Sequence, residues 1–137
     1  MKVIKYKKGY KYQLVEDYIG TINVLPNEYI RTSYITLTLN GRLKIKSGYA
    51  WDGPSGPTLD TKDFMRGSLI HDVLYQLMRY EKLNISWREQ ADNEMKIACT
   101  EDGMCKIRAW YTHWAVRTFA RPSSLKKNKR KIITAPR

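Results

Sequence analysis

Cysteine is nearly absent. The 137-residue chain has two, Cys99 and Cys105, too few and too loosely spaced for a zinc cluster or a disulfide framework, so both read as small apolar residues. Histidine is as scarce, with His71 and His113 alone. Metal-dependent phosphohydrolases built on a His-Asp pair need a second histidine upstream of His71, and the chain has none. No glycine-rich stretch has the spacing of a P-loop or a dinucleotide fingerprint, and Ser55, Ser68 and the cysteines lie in no nucleophile motif. No apolar run approaches the roughly 18 residues a membrane span requires, and the basic start Met1–Lys8 is not followed by the apolar core of an export signal. Acidic residues are also short, with 13 Asp and Glu against 25 Lys and Arg and a net charge of +12. From Arg121 to Arg137 there are seven basic residues and no acid, which leaves 18 basic against 13 acidic groups, a net of +5, in the first 120 residues.

What is present describes one domain over residues 1–120 and a basic, flexible tail over 121–137, a solvated charge run whose lesser role is nonspecific contact with nucleic acid. Residues 1–34 alternate Tyr, Val, Ile and Leu with Lys and Glu in short pieces broken at Gly20 and Pro26-Asn27, which predicts two or three short strands. Ile35, Leu37, Leu43 and Ile45 flank Leu39-Asn40-Gly41 and predict a hairpin. A two-residue Asn-Gly loop pairs Leu37 with Lys44, on mismatched faces. A three-residue loop pairs Leu37 with Leu43 and Ile35 with Ile45 and puts Gly41 at the left-handed bulge position, so the second register is expected.

Three helices follow in the pattern. The first starts near residue 61 behind Asp60 and Thr61, with Phe64, Ile70, Val73, Leu74, Leu77 and Met78 as its buried stripe. The second starts at Ser86-Trp-Arg-Glu89, a capping box, with Trp87, Ala91, Met95 and Ala98 on its apolar face and Asp92 at the edge of that face. The third runs from about Met104 to Phe119 and carries Ile107, Trp110, Tyr111, Trp114, Ala115 and Phe119. Strands first and helices afterwards predict an α+β fold, a small N-terminal antiparallel sheet with hairpins packed against three C-terminal helices.

The stretch from Gly48 to Tyr75 concentrates residues that a fold alone does not require. Gly53, Pro54, Gly56 and Pro57 stand beside Tyr49, Trp51, Asp52 and Ser55 and describe an ordered loop that exposes backbone groups and a carboxylate. On the helix that follows, His71 and Tyr75 share a face while Asp72 points about 100° away from His71. If the first two helices pack antiparallel, as their short connection favours, His71, Tyr75, Asp72, Asp52 and Asp92 converge. Two readings are open. In one, His71 is a general base, Asp92 orients it, Asp72 with Asp52 and loop backbone carbonyls holds a hard divalent cation, calcium or magnesium rather than zinc, and Tyr49, Trp51 and Ser55 contact substrate. In the other, His71 and Asp92 are a buried polar pair that fixes helix packing and Asp72 braces the loop.

The blocks Gly48-Tyr-x-Trp-Asp-Gly-x-Ser-x-Pro, Ser68-Leu-x-His71-Asp72-x-Leu-Tyr75, Ala91-Asp92 and Ala115-Val-Arg117 resemble, in that order, a bacteriophage-borne family catalogued as domain of unknown function 1353. That resemblance implies a phage protein made in the host cytoplasm, with virion association as a further expectation, and brings no settled activity. The His-Asp-x-x-Tyr helix behind a Gly-rich loop, with a later Asp on a second helix, is also similar to secreted phospholipase A2 enzymes. By that likeness His71 is the base, Asp72 the calcium ligand, Asp92 the orienting carboxylate and Tyr75 its hydrogen-bonding support. The flanking cysteines of that family are missing here, which fits an intracellular product, and Pro54 and Pro57 stand where its calcium loop is richer in glycine. The expected function is thus hydrolysis of an ester in an anionic phospholipid or another cell-envelope component, or else a non-catalytic virion or tail part that contacts phage assembly proteins.

Overall fold

A computed structural model describes residues 4–7, 12–51, 61–119 and 125. Seven short strands come first, β1 (Tyr6–Lys7), β2 (Tyr12–Leu14), β3 (Tyr18–Thr21), β4 (Ile30–Arg31), β5 (Ile35–Leu37), β6 (Arg42–Ile45) and β7 (Ala50–Trp51). The helices α1 (Lys62–Arg79), α2 (Arg88–Glu101) and α3 (Lys106–Phe119) follow. The fold is α+β as expected, but the strands form two antiparallel sheets rather than one, ordered β1-β2-β7 and β3-β6-β5-β4. Among the described residues of the first 34 there are four strands, three of them only two or three residues long. Gly20 is not a break: it lies inside β3 opposite Leu43, and a Cβ there would meet the Tyr18 hydroxyl at 2.7 Å, so the glycine leaves room for the Tyr18 ring.

The β5–β6 hairpin takes the three-residue loop. Leu37 pairs with Leu43 and Ile35 with Ile45, and all four side chains are buried on one face, which is what a one-residue slip would undo. Gly41 has φ +85° and a Cβ on it would sit 2.1 Å from the Ile22 carbonyl oxygen. Both left-handed backbone and a close chain crossing therefore require glycine there.

α1 is the central element. The predicted stripe of Phe64, Ile70, Val73, Leu74, Leu77 and Met78 is buried, and Met65, Leu69 and Tyr75 are buried as well, so the helix is enclosed on nearly all sides. Such a helix must spend its polar groups internally, and Arg66, Ser68 and His71 all do so. α1 and α2 approach most closely at Gly67, where a Cβ would stand 2.6 Å from Cys99 Sγ and 2.9 Å from the Met95 carbonyl oxygen. Contacts between the start of α1 and the end of α2, and between the later turns of α1 and the start of α2, make the pair antiparallel.

The caps differ from expectation. Thr61 is the N-cap position of α1, but its side chain donates to the Asp63 carboxylate and makes no cap bond to the backbone; Asp60 lies outside the described residues. Ser86 does not close a capping box. The Asn84 side chain accepts from Ser86 N at 2.8 Å and starts a 3-10 turn, Ile85–Trp87, from which α2 proceeds. The short polar side chain two residues earlier captured the donor first. On α3 the buried positions are Ala109, Thr112, Ala115 and Val116, whereas Ile107, Trp110, Tyr111 and Trp114 face outward. No helix among the described residues is long and apolar enough to cross a membrane.

Candidate functional site

Asp92 is the centre of the site. It lies in the second turn of α2, fully buried, and α1 and α3 supply its partners. From α1, His71 Nε2 lies 2.8 Å and the Tyr75 hydroxyl 2.6 Å from Asp92 Oδ1. From α3, Arg117 Nη1 donates to Oδ2 at 2.9 Å. A further donor stands behind these, since Arg88 Nε donates to the Tyr75 oxygen at 3.1 Å and its Nη2 to the Arg117 carbonyl at 2.8 Å. His71 and Tyr75 reach one oxygen because positions four apart in a helix share a face, and their rings stack at 4.1 Å between centroids.

The electrostatics follow from this arrangement. Burial works against ionised Asp92, but hydrogen bonds and charge from His71, with the donors Tyr75 and Arg117, outweigh it and hold its pKa below the ordinary carboxylate value. Burial likewise disfavours the His71 imidazolium, and the neighbouring Asp72 and Asp92 carboxylates more than offset this, so the His71 pKa is raised. Burial and the Asp92 carboxylate both push the Tyr75 phenol up, keeping it a neutral donor. An ionised Asp92 accepts hydrogen bonds only, which places a proton on His71 Nε2 and leaves Nδ1 as the basic nitrogen of the neutral ring.

Nδ1 faces Asp72. Asp72 Oδ1 lies 3.9 Å away, an ion-pair distance and too long for a direct hydrogen bond. The Asp72 side chain is 33 % exposed against 7 % for His71, so the solvent edge of the site is on the Nδ1 side.

Tyr49 and Trp51 bridge β7 and the segment before it to α1. The Tyr49 hydroxyl donates to Gln76 Oε1 at 2.7 Å and Trp51 Nε1 to Ser68 Oγ at 3.0 Å, and both rings are buried. Asp52 and Ser55, with the rest of the Gly/Pro loop, lie outside the described residues, as does the basic tail apart from residue 125. Among the described residues no group of three His, Cys, Asp or Glu side chains is placed to hold a metal; Asp72 contributes one carboxylate, and the partners expected for it belong to the loop. His113 is half-buried and its Nε2 bonds to Asn93 Oδ1 at 2.9 Å, away from Asp92's hydrogen-bond shell.

Arg88 and Arg117 join this cluster although residue-type reasoning does not single them out. Arg117 enters only within the Ala115-Val-Arg117 block, and Arg88 has no signal beyond its place in the first turn of α2. Glu94 is a second buried carboxylate on α2. It accepts from the Asn23 backbone N–H at 3.2 Å and from Gln90, ties α2 to the strand layer, and has its pKa raised mainly by burial. Scans against protein families, curated proteins and solved structures find no match to this chain.

Proposed function

We propose that the protein is a phage-encoded ester hydrolase of phospholipase A2 type, with His71 as base and Asp92 as the carboxylate that orients it. The observation that carries this reading is the 2.8 Å contact between His71 Nε2 and Asp92 Oδ1, which commits Nε2 to the buried carboxylate and turns the basic Nδ1 toward the solvent edge beside Asp72. A water held next to Nδ1 attacks the ester carbonyl carbon while its proton passes to Nδ1. The tetrahedral intermediate then expels the alkoxide, which takes that proton from the imidazolium and leaves as the alcohol, with the carboxylic acid as the second product. Asp92 stabilises the transient imidazolium without taking its proton, and Tyr75 and Arg117 hold Asp92 in place. The substrate class is an ester of a phospholipid or another cell-envelope component. Asp72 is the residue that would meet a hard cation such as calcium, but it is a single ligand among the described residues, so every step above uses the chain's own side chains.

A second reading has its own support. Both Asp92 oxygens are occupied by donors from α1 and α3, as befits a structural clasp in a non-catalytic virion or tail component. The two are separated by assaying phosphatidylglycerol, phosphatidylcholine and simple esters with calcium, with magnesium and with chelator, using the wild type and His71→Gln. Turnover that falls about 10²–10⁴-fold in the variant, with the fold retained by circular dichroism, is the expected result. No hydrolysis under any of these conditions, or a variant as fast as wild type, overturns the hydrolase reading in favour of the clasp.

A further inference from the structure

α3 is packed the wrong way round for its composition. Its buried positions Ala109, Thr112, Ala115 and Val116 are small, which lets it lie close to the rest of the protein. Its large residues face away: Ile107 is 83 % and Trp110 62 % exposed, with Trp114 and Tyr111 also open to solvent. At 100° per residue these four fall within an arc of roughly 100°, on the side of the helix opposite the buried positions. The Tyr111 and Trp114 rings adjoin at 6.0 Å. These four residues form one stripe along the outer side of α3.

The sequence that carries the stripe is strongly basic. From Met104 to Arg137 the chain has ten Lys and Arg and no Asp or Glu, so this last quarter holds +10 of the net +12. Lys106 flanks the stripe along one edge by the same helical geometry, whereas Arg117 beside it is held by Asp92 at 2.9 Å and Arg108 pairs with Asp63 at 3.4 Å. Two copies meeting through this face would bring two cationic segments together, whereas an anionic surface is complementary. Trp, Tyr and Ile on one face of a helix in a strongly basic stretch of sequence is the pattern of a helix that lies in the plane of a lipid interface.

We infer that α3 is a docking surface for anionic lipid membrane, with Ile107 and Trp110 entering the headgroup boundary, Lys106 at its edge meeting lipid phosphate, and the basic sequence beyond adding attraction to the anionic surface. The inference does not rest on the hydrolase reading, since a non-catalytic protein with this helix would dock in the same way and vesicle binding is measured without turnover. The test is flotation of the full chain with phosphatidylglycerol–phosphatidylcholine vesicles and with phosphatidylcholine vesicles, together with quenching of tryptophan emission by bromine-labelled acyl chains. Binding to the anionic vesicles with quenching is expected, and Ile107→Ser combined with Trp110→Ser is expected to weaken it by about tenfold or more at unchanged melting temperature. Absence of vesicle binding overturns the inference, as does binding that salt abolishes and the double substitution leaves untouched, which is attraction by the basic residues alone. A change of oligomeric state in the double variant without vesicle binding would assign the stripe to a second copy instead. If the double variant fails to fold, unquenched emission from the wild type on anionic vesicles is enough to overturn it.

Discussion

Two charged clusters are built at opposite ends of the α1–α2 contact, and they solve burial differently. Near the start of α1, Arg66 donates to Asp102 at 3.0 Å, Glu101 at 2.7 Å and the Tyr18 hydroxyl at 3.0 Å. It thereby joins the β3 strand to the C-terminal end of α2, where a cation suits the helix dipole. Burial works against this guanidinium, but its carboxylate partners outweigh it and push its pKa further up, so it stays charged at any ordinary pH. The cluster also vents to water, because the Glu101 side chain is 61 % exposed. Further along α1, the Asp92 cluster has a buried anion near the N-terminal end of α2, again on the side the dipole favours, and its carboxylate is closed off from solvent. It alone contains an imidazole. One cluster fixes a charge and joins the layers; the other holds a proton that can move.

The largest effect should come from emptying the closed cluster. Asp92→Ala leaves Arg117 without its carboxylate and strips His71 and Tyr75 of an acceptor that is itself closed off from solvent. A loss of about 3–5 kcal/mol in denaturant unfolding is expected from breaking a buried ion pair on one side. The same measurement on Arg66→Met should give a smaller loss, about 1–3 kcal/mol, because Met keeps the aliphatic packing while Glu101 turns to solvent. If Arg66→Met proves the more damaging, the difference in solvent access between the clusters is not what sets their energetics.

How much of this was legible in the sequence depends on the range of the interaction. The β5–β6 register could be read because Gly41 and the two apolar pairs constrain one another within eleven residues. His71 and Tyr75 could be placed on one face because helical spacing alone decides it, and Asp92 could be brought to them because the α1–α2 connection is short. Arg117 is 25 residues from Asp92, in a chain with 25 Lys and Arg, so no local pattern distinguishes it from its neighbours. Arg66 was hidden for the same reason, with Tyr18 and Asp102 far away on either side. α3 misleads in another way: its sequence supports two faces, and large apolar residues weigh more in a pattern than Ala and Thr, yet the small face is the one that packs. The division into two sheets escapes because strands of two or three residues are too short to show alternation.

The smallest effect, and the one that separates the clusters most cleanly, is on pH. His71 has its folded-state pKa above the ordinary value of 6.5, so its protonation stabilises the native state. That contribution is fully present below the unfolded pKa and is lost as the pH rises through the folded one. Asp92 has the opposite sign, with its contribution present above the ordinary carboxylate pKa and lost as the pH falls through its lowered folded value. Between neutral pH and the mildly alkaline range, only the His71 contribution of these two changes. The melting temperature of the wild type should therefore fall with rising pH in that window relative to His71→Gln, whose amide does not titrate. Arg66→Met, measured alongside, should keep the wild-type dependence because it leaves His71 and its partners in place. A wild type and His71→Gln with parallel profiles would mean that His71 is neutral in the folded protein throughout, and that the Asp92 cluster holds its proton as firmly as the Arg66 cluster holds its charge.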